Sequence, residues 1–346
     1  MLIKHYKNYP NMRISDAFKY IFQSSFGCEH LVSDEKGALD YIKREYENVS
    51  KFAAPNIEPL DGEYSRVHLA YMRGGLSPET FARIFTLSAK KEEGGKAALE
   101  QKLEAARELI LEGALPLDIN EFEKAVEDWR ASGYPAVRHS ELFREKYKPA
   151  YRVIADRYVR LLPLLEKIDT MLDSGNTVIA IEGGSASGKT TIAAMLSEIY
   201  ECNVFHTDDF FLRPEQRTPE RLAEIGGNLD RERFYDEIVL AIKDGAPVAY
   251  RPFDCRTQTL SDIITVEPRK LTVVEGVYST HPAFGKYFDL SVFLDIDAEY
   301  QRERILKRNS PAFAERFFNE WIPLENAYFD GTNVKERSDL VIKIDA

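Results

Sequence analysis

Apolar residues recur at three- and four-residue spacing through the first half of the chain, and the period shortens abruptly after it. ISDAFKYIFQSSF (14–26) and EKGALDYIKREYENV (35–49) each gather their apolar positions on one helical face. KAALEQKLEAARELILEG (96–113) does the same and ends on a glycine suited to a helix C-cap. DINEFEKAVEDWRASG (118–133) offers Asp118 or Asn120 as N-cap and again closes on glycine. SELFREKY and the long PAYRVIADRYVRLLPLLEKIDTML follow, the latter predicted to bend or break at Pro163. Punctuators such as AAPNIEPLDGEY and RGGLSP separate these segments. The expectation is a mainly α-helical domain over residues 1–172.

From DSGNTVIAIEGG (173–184) onward, short β-rich runs alternate with helical ones. TVIAIEG precedes helical TTIAAMLSEIY, CNVFHTDDFF precedes helical DRERFYDEIVLAIKDG, and PVAYRPF, KLTVVEGVY and LSVFLDI lead to helical AEYQRERILKRN. Such alternation predicts an α/β fold, a parallel sheet wrapped by helices. The cluster Asp173–Asn176 marks the expected boundary, giving a second domain over 173–346.

Composition narrows the field. A chain of 346 residues, 44% of them hydrophobic, can bury two cores. Lys and Arg number 46 against 57 Asp and Glu, a formal net charge of −11. That balance argues against nucleic acid or an anionic membrane as partner, while leaving room for a small phosphorylated ligand in a local basic pocket. Cys28, Cys202 and Cys255 form no C-x-x-C pair, which speaks for a reducing compartment. The start MLIKHYKNYP has no signal-peptide stretch and no 18 apolar residues run together, so the expected location is cytoplasmic.

The candidate chemistry begins at Gly183-Gly184-Ser185-Ala186-Ser187-Gly188-Lys189-Thr190, followed by Thr191, which fits G-x-x-x-x-G-K-[ST]. An apolar strand feeds it and a helix leaves it. In that setting the loop turns successive N–H groups toward phosphate oxygens, and the helix N-terminus adds its positive end. Lys189 would reach the β- and γ-phosphates and the Thr190 hydroxyl would ligate Mg²⁺. No N-K-x-D stretch follows, which disfavours a guanine-specific switch. Asp208 and Asp209 come directly after one predicted strand and Glu275 after another, where open α/β sheets bind ligands. A carboxylate there can take a proton from a hydroxyl or organise Mg²⁺; Asp-Asp can equally be a cap or a solvated turn. Asp230 in NLDRERF could line the same cleft or cap the helix after it. Arg304 and Arg308 share a helical face and could close over phosphates, or simply be solvated.

Taken in order, GGSASGKTT, DDFF, NLD, FD at 253–254, VVEG and RERILKR resemble the uridine kinase and phosphoribulokinase family of P-loop small-molecule kinases, over residues 176 to 345. DDFFLRP also looks like the nicotinamide riboside kinases. The resemblance implies a P-loop NTPase sheet, ATP and Mg²⁺ as cofactors, and a small-molecule acceptor, nucleoside-like before another sugar or small alcohol. It makes Asp208 the base that activates the acceptor hydroxyl, Asp230 the residue that hydrogen-bonds ribose, and Glu275, with Thr190, the organiser of Mg²⁺. Arg304 and Arg308 fall in the arginine-bearing lid. The sequence departs from the family where a uridine kinase reads its base: Phe253 stands for a tyrosine and Gln258 for a histidine, and Phe211 replaces the tyrosine of DSFY. Unmatched polar partners in such a pocket reject the original substrate, so kinase survives these changes better than uridine does. A nucleotide-dependent regulator is the alternative of a different class.

The first half carries no comparable motif. Cys28 and His30, with His68 and His139, could meet in a metal site, though without tight spacing. YPAVRHSELFREKYKPAYRVI could line an anion or sugar-phosphate pocket, or be surface charge over buried tyrosines. Helical add-ons of this kind commonly form dimers or regulate, so a homo-oligomer through the N-terminal half is expected.

Overall fold

The computed structural model describes residues 1–28, 34–49, 56–60, 63–89 and 95–345. The chain divides into two compact units, Met1–Thr170 and Met171–Ala346, the boundary falling inside the helix Leu162–Leu172.

Five helices of the first unit follow the periodic segments, Ile14–Phe26, Glu35–Glu47, Gly95–Leu111, Ile119–Ala131 and Glu141–Tyr147, and Leu2–Asn8 and Pro78–Ser88 are helices the periodicity did not mark. Asp34, Asp118 and Ser140 cap three of them, each accepting a backbone N–H three residues on. Between the choices open at residue 118–120, Asp118 is the cap, at 2.9 Å from the Glu121 nitrogen. The unit also holds an antiparallel sheet of β1 (Ile57–Pro59), β2 (Tyr64–His68) and β3 (Tyr151–Ala155), in that order. This corrects the helical reading of PAYRVIA, while Asp156–Val159 is helical as expected. Residues 151–155 are a strand because they pair with β2, Ser65 opposite Ile154. Their aromatic and β-branched side chains suit that half-buried surface, and tertiary pairing overrides the helical spacing. Pro163 is the second residue of its helix, where the missing N–H has no intrahelical partner to lose.

In the second unit, β4 (Thr177–Gly183) and β5 (Cys202–His206) lead into two small antiparallel pairs. These join β6 (Val248–Tyr250) to β9 (Ile264–Val266) and β7 (Phe253–Asp254) to β8 (Thr259–Leu260). Then come β10 (Leu271–Glu275), β11 (Leu290–Ile296) and β12 (Leu340–Ile344). The main sheet is parallel throughout, ordered β12-β11-β4-β10-β5. PVAYRPF therefore does not join it; prolines at 247 and 252 confine β6 to three residues. The central strands are mostly apolar: Ile179, Ile181, Val273, Val274, Val292 and Leu294 are fully buried, as covering on both faces demands. Each such burial contributes about 1.5–3 kcal/mol. An aromatic cluster of Phe205, Phe210, Phe234, Tyr250, Phe284 and Tyr287 adds to this core.

Candidate active site

The glycine-rich loop joins β4 to the helix Lys189–Ile199, the strand-loop-helix order that its chemistry requires. It borders a cavity of about 1170 Å³ along Ser185, Ala186, Gly188, Lys189, Thr190 and Thr191; Gly183, Gly184 and Ser187 lie behind that surface. The Lys189 ammonium crosses the loop to the carbonyls of Gly183 and Gly184, at 2.9 and 3.0 Å. Ser185 is held from the far side. Its N–H and hydroxyl donate to Glu325 at 2.8 and 2.5 Å, and its carbonyl accepts from Gln301 at 2.8 Å. Burial raises the pKa of Glu325, against the pull of Lys189.

Strand register gathers the acids. Glu275, the last residue of β10, lies opposite Ile181 of β4 and His206 of β5. Its buried carboxylate accepts the Thr190 hydroxyl at 2.9 Å, and His206 Nδ1 stands 2.6 Å from the same oxygen. That bond is the chief reason the His206 pKa is raised. Two hard oxygen donors at the foot of a phosphate loop fit an oxygen-ligated cation such as Mg²⁺. Gly276, at φ +136°, brings the strand ends together: a Cβ there would lie 1.9 Å from the Thr207 hydroxyl, which donates to the Val277 carbonyl at 2.8 Å. The space beside Glu275 is thus filled by Thr207, next to Asp208. Asp208 lines the cavity. The crowded walls strip enough water from it to raise its pKa; Lys189 opposes the shift and Glu275 adds to it.

Across the cavity stands the helix Ala298–Arg308. Arg304 and Arg308 both line it, and the Arg304 guanidinium reaches within 3.9 Å of the Cβ position of Gly188. Phe313, Phe317 and Trp321 continue that wall as edge-to-face aromatics. On the opposite side Phe211 and Gln258 line the cavity, but Asp230 and Phe253 do not. Asp230 is buried as the cap of Arg231–Phe234, its carboxylate accepting from Gln216 Nε2 at 3.0 Å and the Arg233 N–H at 3.3 Å. Phe253 is buried with the Arg217 guanidinium 5.9 Å from its ring centre. Of the four acceptor-side residues expected from sequence, two are at the surface of the cavity and two are sealed beneath it.

No protein-family model matches the chain. It is similar to the uridine kinase of Macrococcus caseolyticus, 24% identical over 186 residues, covering 49% of this chain and 88% of that protein. It is also similar to the uridine kinase of Anoxybacillus flavithermus, 26% identical over 183 residues, 48% and 84% of the two chains. Among solved structures, a possible uridine kinase from Bacillus stearothermophilus superposes with a TM-score of 0.39 at 22% identity, over 52% of this chain and 99% of that one. The likeness to these uridine kinases covers the second unit, whose parallel sheet and glycine-rich loop have the P-loop kinase fold. The first unit lies outside this likeness.

Several groups of the kinase unit escape sequence reading. His206 and Tyr278 sit beside quoted motifs but carry no signal of their own, and Glu325 and Gln301 come from helices far along the chain. Backbone strain does mark the place. Of six described non-glycine residues with positive φ, three line this one cavity: Ala186 and Gln258 at 60° and Tyr278 at 78°.

In the first unit the expected metal candidates are separately engaged. Cys28 is buried, its sulfur 3.8 Å from the Phe85 carbonyl and its pKa pushed up to about 12 by burial. His68 Nδ1 accepts the Ala70 N–H at 3.1 Å, and His30 lies outside the described residues. His139 contacts Asp16 at 3.0 Å and the Tyr151 hydroxyl at 2.6 Å. Among the described residues, no group of three or more His, Cys, Asp or Glu could hold a metal ion. Nor is any described helix long and apolar enough to cross a membrane. The stretch that could line an anion pocket, or be surface charge over buried tyrosines, contributes His139, Ser140 and Tyr151 to a hydrogen-bond network with Asp16 and Gln23.

Proposed function

We propose that the protein transfers the γ-phosphoryl group of ATP, with Mg²⁺, to a hydroxyl of a small molecule. The observation that carries this reading is the convergence at three neighbouring strand ends. The loop with Lys189 follows β4, Asp208 follows β5, and Glu275 closes β10 with its carboxylate on Thr190. Asp208 takes the proton of the acceptor hydroxyl, and its raised pKa suits a base more than an exposed aspartate's would. Lys189 leaves the carbonyls of Gly183 and Gly184 for the phosphates, and Arg304 and Arg308 offset charge from the facing helix. Thr190 and Glu275 would hold Mg²⁺, which neutralises phosphate charge during transfer.

The names of the relatives favour a nucleoside-like acceptor whose primary hydroxyl is phosphorylated. The burial of Asp230 and Phe253 favours the second reading, another sugar or small alcohol. ADP release from Mg-ATP, measured across nucleosides, nicotinamide riboside, pantothenate and sugar phosphates, separates the two. A signal confined to nucleosides supports the first, and one confined to other alcohols supports the second. ATP binding with no acceptor-dependent release would replace both with a nucleotide-dependent regulator.

A further inference from the structure

Resting on the kinase reading, we infer that Asn228, and not Asp230, makes the polar contact that holds the acceptor. Both belong to the NLD stretch, but only Asn228 lines the cavity. Its side-chain oxygen is buried and has no hydrogen-bond partner. One acceptor oxygen of this cavity-lining residue is therefore left unmatched. Buried polar atoms are nearly always paired, and an orphan carbonyl bordering a cavity is completed by a ligand's donor. Asp230 has nothing comparable to offer, since Gln216 and the Arg233 backbone occupy its carboxylate.

The backbone around Asn228 is fixed tightly enough to aim a side chain. A Cβ on Gly227 would lie 1.9 Å from the Arg221 carbonyl, so the turn before Asn228 has one tight path. Arg221 then donates to the carbonyls on either side, Gly227 at 3.0 Å and Leu229 at 2.9 Å. The Asn228 carbonyl accepts the Leu212 N–H at 3.2 Å, and the Leu212 carbonyl accepts Arg217 at 2.8 and 3.0 Å. Phe211, Leu212, Arg217 and Asn228 therefore form one hydrogen-bonded wall of the cavity. Tyr278 completes it from a strained backbone, φ +78°. A rigid, preorganised wall with one free acceptor oxygen suits a specificity contact. The acceptor it selects carries, besides the hydroxyl delivered to Asp208, a second hydroxyl or N–H that donates to Asn228.

The test uses the full-length protein with Mg-ATP and a panel of uridine, nicotinamide riboside, ribose and pantothenate. On whichever compound releases ADP, Asn228→Ala is expected to raise the acceptor KM about 10- to 100-fold, the weight of one hydrogen bond to a buried partner. The KM for ATP and kcat move within a few-fold. Asn228→Asp, which keeps an acceptor oxygen at the same reach, recovers part of the loss, and Asp230→Asn raises the acceptor KM less than Asn228→Ala does. Folding of each variant is checked by thermal unfolding, and Asn228→Thr carries the test if the alanine variant does not fold. An acceptor KM unmoved by the loss of Asn228 but raised by Asp230→Asn would overturn the assignment while leaving the kinase intact. A wild type that releases ADP with no acceptor would overturn the kinase reading itself, and the assignment with it.

Discussion

At the scale of single residues, the proposed chemistry rests on Asp208 and on the geometry that delivers it. Replacing it with asparagine removes the base but little volume, so acceptor-dependent ADP release should fall about 10²- to 10⁴-fold. Because burial raises its pKa, the base form is lost as pH falls through that raised value. The acid limb of kcat/KM should therefore lie above the ordinary aspartate range in the wild type, and a limb at the ordinary value would remove Asp208 from the role. Gly276 makes a structural prediction. With φ at +136° and Thr207 1.9 Å from any added Cβ, Gly276→Ala should destabilise the kinase unit by more than about 1 kcal/mol. A urea midpoint equal to wild type would contradict the close approach. The phosphate loop was legible because its residues are contiguous and its setting is local. Asp208 and Glu275 were legible because strand ends are. Asp230 takes the helix-cap place that the sequence left open beside the cleft, because a short motif fixes order along the chain while the direction a carboxylate faces is decided by partners such as Gln216. Nothing near residue 228 in the sequence announces an unpaired oxygen.

At the scale of elements, the phosphate loop depends on helices that arrive later in the chain. Glu182, just before the loop in β4, is fully buried, and burial raises its pKa. It is kept there by the Tyr328 hydroxyl at 2.9 Å, the Thr280 N–H at 2.8 Å and the Thr280 hydroxyl at 3.1 Å. Tyr328 belongs to the helix Ile322–Thr332, the same helix that presents Glu325 to Ser185. Tyr328→Phe should cost about 1–2 kcal/mol by leaving part of that acid unpaired, read as a lowered urea midpoint at unchanged slope. An unshifted midpoint would mean that Thr280 and the Tyr278 N–H satisfy Glu182 without Tyr328. This coupling was invisible from sequence, since nothing in the run around Tyr328 marks a partner for a buried acid in β4. The strands β1 to β3 were missed for a related reason: β2 and β3 are short, pair at long sequence separation, and one of them runs straight into helical text. The parallel sheet was readable because its central strands β4, β10 and β11 are short, mostly apolar runs, and β4 and β11 each lead into a helix.

At the scale of the whole molecule, the two units differ in what pH should do to them. In the first unit burial lowers the pKa of His139 to about 4, despite its bond to Asp16, and lowers that of His5 as well. The folded unit thus binds fewer protons than the unfolded chain between about 6.5 and 4. Its stability should hold above pH 6.5 and fall progressively as pH drops toward 4, and His139→Gln should flatten that fall. The chain has two tryptophans, Trp129 in the first unit and Trp321 in the second, so Trp129 fluorescence in a Trp321→Phe background follows the first unit by itself. Melting temperatures independent of pH in that window would contradict a neutral, buried His139. For the kinase unit the central claim is that the cradle and the strand-end acids perform transfer together. The most direct measurement compares wild type, Asp208→Asn and Lys189→Ala for ATP binding and for acceptor-dependent ADP release, side by side. The account predicts that Asp208→Asn keeps ATP affinity within a few-fold and loses release, while Lys189→Ala loses release and weakens binding. An Asp208→Asn protein that releases ADP at the wild-type rate would contradict it.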